Sequence, residues 1–290
     1  MKLQQLRWLE IGIRMPVADN EASVLVDTLV GICGRGVLER DSWIYMYFDE
    51  PNDVYGFIKR LRACVSSAIG DEEIDIMARW LPNEDWGEKW KHGLGPKRIS
   101  ESIVVCPSWV QFNPKPDDIV ITIDPGMAFG TAEHGTTRAC LRLLSEVVKV
   151  DERILDIGSG SGILAIAAAG LGASETIAIE GDPVSFQALQ SNAEKNGFSR
   201  QIRCVEEWAK AESLYALGPV DGIVANIETG VLSQLLPGIR DALTEGGWLI
   251  LSGILSTQWP HFAAKVKVRG FRCLEVDRDG EWTSGLFART

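Results

Sequence analysis

Residues 98–290 of this 290-residue chain predict an α/β fold on a doubly wound, mostly parallel sheet, preceded by a small α+β domain. Three observations carry that expectation. From residue 153 onward, apolar strand-like runs alternate with helix-like segments, the order that builds a parallel sheet. The runs are continuously apolar rather than alternating, as strands covered on both faces require. A glycine-rich turn joins the first of them to an Ala-rich helix.

The first 80 or so residues read as strand, helix, strand, helix, strand. LRWLEIGIRM (6–15) alternates in part and carries β-favouring Trp and Ile. Asp19 and Asn20 can cap a helix through ASVLVDTLVGIC (22–33), and Gly34 and Gly36 end it. SWIYMYFDE (42–50) is aromatic and β-branched, hence a strand. Asp53 caps a second helix, YGFIKRLRACVSSAI, that stops at Gly70. EIDIMARWL (73–81) is a third strand. Helices on a small sheet make a compact α+β module over 1–81. PNEDWGEKWKHGLGP (82–96) reads as a connecting helix with Trp86 and Trp90 on one face, so 82–97 is the linker.

SIVVCPSWV (102–110) and DDIVITID (117–124) read as strands, followed by a Gly-containing loop and a helix from about 136 to 148. RILDIG is the next strand, SGILAIAAAGLGA a helix, TIAIE a strand, and PVSFQALQSNAEKNG a helix ended by Gly197. IRCVE, DGIVANI and GGWLILSGIL are three more strands with helices between. FRCLEVDRDGEWTSGLFAR is an antiparallel hairpin with Asp279-Gly280 as its turn.

Composition excludes several classes. Hydrophobic content of 46% supports a core, so wholesale disorder is out. The longest Gly/Ala/aliphatic run, 162–173, is too short to span a bilayer, and no membrane association is expected. The N-terminus lacks the pattern of a secretory signal, so a cytoplasmic location is expected. Net charge is −11, divided −4 over 1–97 (12 basic, 16 acidic) and −7 over 98–290 (17 basic, 24 acidic). An acidic surface argues against direct nucleic-acid binding. Six cysteines include no CxxC pair and read as reduced thiols packed as small apolar residues. Three histidines at 92, 134 and 261 fit no zinc spacing, so no metal is expected. A monomer is expected.

The chemistry concentrates in ILDIGSGSGILA (154–165). A strand ends in Asp156, and Gly158, Gly160 and Gly162 follow at alternate positions before a helix. Glycines permit tight turns and close approach to a ligand. In open α/β sheets this loop lies where ligands bind. A dinucleotide fingerprint would need Gly at 163, where this chain has Ile163, and a phosphate loop would need a Lys-Ser/Thr pair. Asp156 would repel a pyrophosphate but could face a cationic ligand, which points to S-adenosylmethionine. Glu180 ends the next strand, 22 residues beyond Gly158, where a carboxylate can accept both ribose hydroxyls. Asn226 ends the fourth strand and would sit over the reacting end of that cofactor. DPGMAFGTAEHGTT (124–137) is a loop dense in Gly and polar groups, of the kind that covers sites. Thr136 or Thr137 would cap the helix after it, and His134 reads more readily as structural than as catalytic.

Taken together, DPGMAFGTAEHGTT, LDIGSGSGILAIAA, the acid ending strand two, VANI and GGWLILSGIL resemble the bacterial ribosomal protein methyltransferases called PrmA. NEDWGEKW, VVCPSW and the late GEW (280–282) look like the same family. The similarity runs from about residue 82 to the end, and the FGTxxHxTT loop is its most specific part.

The resemblance implies a class I, Rossmann-like, S-adenosylmethionine-dependent methyltransferase with a ferredoxin-like N-terminal substrate-recognition domain. It implies lysine side chains and the N-terminal α-amine of large-subunit ribosomal protein L-eleven as acceptors. Thr137, Asp156, Gly158, Gly160, Gly162, Glu180 and Asn226 are the expected cofactor-binding residues, with Asn226 also catalytic by holding the amine. Three departures stand out: Ala132 where the family has Gly, Glu180 where it has Asp, and Glu228 and Thr229 where small apolar residues are common. Ala132 would resist a left-handed backbone, and the Glu228 pair would alter the substrate entrance. Alternatives at this stage are a lysine methyltransferase for a different protein, a small-molecule methyltransferase, and a cofactor-binding module without catalysis.

Overall fold

The computed structural model describes residues 7–14, 38–40, 42–49, 51, 53–69, 75–82, 95–124 and 128–290. The chain divides into two units, residues 1–94 and 95–290.

The first unit is a four-stranded sheet in the order β2-β3-β1-β4, formed by β1 (Arg7–Arg14), β2 (Leu38–Arg40), β3 (Trp43–Asp49) and β4 (Ile76–Pro82). Its pairs run antiparallel, in the strand order of a ferredoxin-like sheet. Helix α1 (Val54–Ile69) starts where Asp53 accepts the Gly56 N–H at 2.9 Å. Leu9, Ile11, Ile13, Ile44 and Met46 on the sheet bury against Leu61 and Val65 on that helix. Period-two alternation turns Glu10 to the other face, where it pairs with Arg79 directly across β4. The short strand β2 went unread in the sequence, since three residues show no periodicity. The helix expected at 22–33, the stop at Gly70 and the linker with Trp86 and Trp90 lie outside the described residues.

The second unit holds a seven-stranded sheet, β10-β9-β8-β11-β12-β14-β13, and a three-stranded one, β5-β6-β7. In the large sheet, β8 (Arg153–Ile157), β9 (Glu175–Glu180), β10 (Ile202–Glu206), β11 (Val220–Asn226) and β12 (Leu243–Leu255) pair in parallel. The hairpin β13 (Phe271–Asp279) and β14 (Trp282–Arg289) joins β12 antiparallel. Helices α2 (Gly135–Val147) and α3 (Ile163–Gly170) share one apolar cluster with Ile154, Ala178, Val224 and Ile250. On the opposite face, α6 (Thr229–Ala242) and α7 (Trp259–Val268) pack against Leu155, Ile157, Ile223, Leu249 and Leu251. Helix α4 (Pro183–Lys195) adds Leu189 and Ala193 to the first cluster, and α5 (Ala211–Leu217) adds Leu214 to the second. Both faces are covered, which is why the strands read as unbroken apolar runs. Among the described residues no helix is long and apolar enough to cross a membrane.

Several sequence expectations shift. The strand expected at 102–110 is only β6 (Ile103–Cys106), because Pro107 has no N–H and Asp124 captures the Ser108 N–H at 2.7 Å. The strand expected at 117–124 shortens to β7 (Ile119–Thr122), because Asp118 is held outside it by Arg98 at 2.8 Å. Both belong to the small sheet, with β5 (Lys97–Arg98), and not to the large one. Helix α2 is not capped by Thr136 or Thr137: its N-cap is His134, without a side-chain capping bond, and both threonines lie inside the first turn. Asp182 does cap α4, accepting the Ser185 N–H at 2.8 Å ahead of Pro183. The hairpin turn is Gly280-Glu281 rather than Asp279-Gly280, because Asp279 pairs with Trp282 and its carboxylate is taken by Arg138 and Arg142.

Candidate active site

Strands β8 and β11 are neighbours although β9 and β10 lie between them in sequence. Chain connections leave in opposite directions from that pair, so the helices part and open a crevice at the strands' carboxyl ends. A cavity of about 950 Å³ lies there. Gly158 and Gly160 after β8, Glu180 at the end of β9 and Asn226 at the end of β11 all line it. Residues separated by as many as 68 positions thus meet at one edge.

The glycine loop is held from within. Gly160 has φ +55°, and a Cβ there would lie 2.5 Å from the Phe129 carbonyl oxygen. No side chain fits, so the loop lies directly on the segment before α2. The Ser161 N–H donates to that same Phe129 oxygen at 2.8 Å, and the Ser161 hydroxyl donates to the Gly130 oxygen at 2.5 Å. Gly158 and Gly162 are also left-handed, at +72° and +82°. Gly162 is not among the cavity's lining residues, and a Cβ on it would strike Leu189 of α4.

Glu180 is 8% exposed and ties two strand ends together. One carboxylate oxygen accepts the Gly160 N–H and the other the Asp182 N–H, both at 2.8 Å. Each oxygen keeps a second lone pair, and a carboxylate with two free acceptor sites suits a pair of vicinal hydroxyls.

Asp156 and Thr137 are brought close to this edge but are sealed from the cavity. Period-two alternation along β8 places Asp156 on the Ile154 face, under α2 and α3. It is wholly buried, and neither carboxylate oxygen has a hydrogen-bond partner. Burial pushes its carboxyl up to about 7. The Thr137 hydroxyl is equally buried and also unpartnered. The same burial pushes the Cys140 thiol, one helical turn further on, up to about 12.

Asn226 is 9% exposed, lines the cavity and leaves its side-chain oxygen without a hydrogen-bond partner. Its neighbours Glu228 and Thr229 also line the cavity, Glu228 as the N-cap of α6. His134 stands between two rings, 5.0 Å from Phe129 and 5.1 Å from Trp282, with Nδ1 2.7 Å from the Thr136 hydroxyl. All three rings face the cavity. Ala132 does not adopt a left-handed backbone, so alanine carries no strain there.

Sequence reasoning missed Trp208, whose indole packs so closely over Gly181 that a Cβ there would lie 2.3 Å from the ring. A signal existed: Trp208 follows the third strand, and every strand's carboxyl end reaches this edge. It also missed Gln258, His261 and Lys265, which approach from α7. Helix α7 had not been read as an element, and nothing in its sequence points to the cavity.

These residues line a cavity roomy enough for a nucleoside-sized group, with the Asn226 amide and Glu228 among its walls. The sequence pattern described as "Ribosomal protein L11 methyltransferase (PrmA)" matches residues 17–290. The chain belongs to the PrmA family. A PrmA-family relative named "Ribosomal protein L11 methyltransferase" from Chloroflexus aurantiacus is 32% identical over 99% of each chain. One of the same name from Pelobacter propionicus is 33% identical over 98% of each. A solved structure titled as the ribosomal protein L11 methylase of Lactobacillus delbrueckii subsp. bulgaricus is 33% identical. It covers 68% of this chain and 99% of its own, with a TM-score of 0.60. As a member of the PrmA family, the chain is an S-adenosylmethionine-dependent protein methyltransferase.

Proposed function

We propose that this enzyme methylates lysine side chains and the N-terminal α-amine of ribosomal protein L11, in the cytoplasm, and that Glu180, Gly158, Gly160 and Asn226 form its cofactor and amine site. The observation that carries the site assignment is Asn226, which lines a cavity that Glu180 and the glycine loop also line and whose buried side-chain oxygen has no partner. A buried acceptor with no partner costs stability unless a ligand supplies a donor.

The residues present fit S-adenosylmethionine. Glu180 would hold the ribose hydroxyls, and the side-chain-free Gly158 and Gly160 would let the backbone approach the ligand. Bound there, S-adenosylmethionine supplies an electrophilic methyl group on a cationic sulfonium. Asp156 would act from behind the loop as a buried negative charge, and Thr137 from the first turn of α2.

The acceptor amine must arrive neutral, yet a free lysine has a pKa near 10.4. An apolar cavity lined by Ile227, Leu255 and Phe262 disfavours its charged form, so the proton leaves to water as the amine enters. Asn226 would then accept a hydrogen bond from the neutral amine and point its lone pair along the line of displacement. Positioning of this kind supplies most of the rate gain available here. Residues 1–81, part of the separate unit 1–94 and holding its apolar core, would dock the protein substrate.

Intact-mass analysis of ribosomal protein L11 from the same organism, after incubation with this enzyme and S-adenosylmethionine, tests the proposal. Additions in steps of about 14 Da are expected. An unchanged mass, with cofactor binding shown separately, discards the substrate and keeps the cofactor site.

A further inference from the structure

We infer that Glu228 is a substrate-binding residue, capturing the acceptor as an ammonium at the mouth of the cavity before the amine passes to Asn226. The inference rests on the amine-methylation reading above and adds a residue to it. Two carboxylates line the cavity, Glu180 and Glu228. Both Glu180 oxygens accept backbone N–H groups, and the residue is buried. Glu228 is exposed, makes no side-chain capping bond at the start of α6, and its carboxylate enters no hydrogen bond or ion pair among the described residues. It leaves even Lys265, on the same cavity, unpaired. Its carboxylate is therefore available to a ligand.

The neighbourhood selects which ligand. Two residues upstream, Asn226 is nine-tenths buried and lines the same cavity, and its side-chain oxygen has no partner. A carboxylate and an amide oxygen so placed form an acceptor pair that suits a group with several N–H donors. Phe129 and Trp282 also line the cavity, and aromatic rings there can add attraction for a cation. A lysine ammonium satisfies all of these; a phosphate or carboxylate satisfies none.

Placement also limits what Glu228 does. A carboxylate beside an ammonium favours the charged form, which cannot attack. At the exposed mouth it aids capture without holding the proton on during transfer, because Asn226 receives the amine deeper in. Glu228 should accordingly act on KM and leave kcat nearly untouched.

The test compares Glu228→Gln with the exposed control Glu194→Gln, which removes the same unit of charge away from the cavity. With ribosomal protein L11 as acceptor, Glu228→Gln should raise KM about two- to fivefold, the range of an exposed ion pair. That increase should shrink at high salt, while kcat and cofactor affinity stay as in wild type. Glu228→Lys should raise KM at least about tenfold through like-charge repulsion. A purely structural role would instead lower melting temperature and cofactor affinity together. In parallel, saturation-transfer NMR measures binding of Nα-acetyl-lysine methylamide to the cofactor-product-bound enzyme and to Glu228→Gln. If L11 gains no methyl groups, the L11 reading fails and this titration decides Glu228 alone. Weaker binding by the variant supports the inference. Equal binding, or binding by neither protein, overturns it, as does an unchanged KM where L11 is methylated.

Discussion

Asp156→Asn offers the sharpest physical test of the site. The carboxyl is wholly buried without a hydrogen-bond partner, and its pKa rises from 3.8 to about 7. Between those values the folded state holds a proton that the unfolded chain has released. Stability therefore falls as pH rises from about 4 to 7 and levels off above. Each unit is worth about 1.4 kcal/mol, so the two units between pH 5 and 7 amount to about 3 kcal/mol. Asparagine does not titrate and has nearly the same shape. Measured against wild type, Asp156→Asn should gain about 3 kcal/mol in relative stability on going from pH 5 to 8. Native-state hydrogen exchange at the amides of 154–157 reports the larger unit alone, which matters in a two-unit chain. Parallel stability profiles for the two proteins would refute the argument that burial governs this carboxylate. A second readout tests its proposed electrostatic role: cofactor affinity should strengthen with pH over the same interval in wild type and stay flat in Asp156→Asn.

Asn226→Ala should lower kcat far more than it weakens cofactor binding; equal losses, measured by steady-state kinetics and calorimetry, would remove its proposed role in holding the amine. Glu180→Gln replaces one acceptor oxygen by an amide donor facing a backbone N–H, so cofactor Kd should rise at least about tenfold, in line with about 1.5–3 kcal/mol for a hydrogen bond to a charged group. Gly160→Ala must place a Cβ 2.5 Å from the Phe129 oxygen at φ +55°. The left-handed backbone alone costs about 1–2 kcal/mol, so a lower melting temperature and loss of cofactor binding are both expected, read by calorimetry.

The elements with strong periodicity or punctuation were legible. Helix α4 announces itself by Asp182, Pro183 and Gly197, and the capping bond and the left-handed Gly197 are where those residues imply. The five parallel strands were legible because burial on both faces demands continuous apolar runs. Strands β6 and β7 were read too long, since a side chain distant in sequence, Asp124 or Arg98, ends each of them. Strand β2, with three residues, offers no pattern at all. The hairpin turn was misplaced by one residue because Asp279 is turn-favouring in sequence, yet two arginines of α2 hold it in the strand.

For the site, the sequence by itself determined the chemistry on offer: a glycine loop after strand one, an acid after strand two, an amide after strand four. Each signal is local, because it lies where a strand gives way to a turn. Only the tertiary structure decided which of these groups faces the cavity. Glu180 and Asn226 reach it, while Asp156, on the same face of the sheet but one side-chain repeat short of the strand ends, level with Ala178 and Val224, is sealed under α2 and α3. The residues of the α7 wall came from a segment whose sequence carries no mark of the site. Their approach is set by how the sheet twists and by which helices cover it, and those depend on packing among residues up to two hundred positions apart.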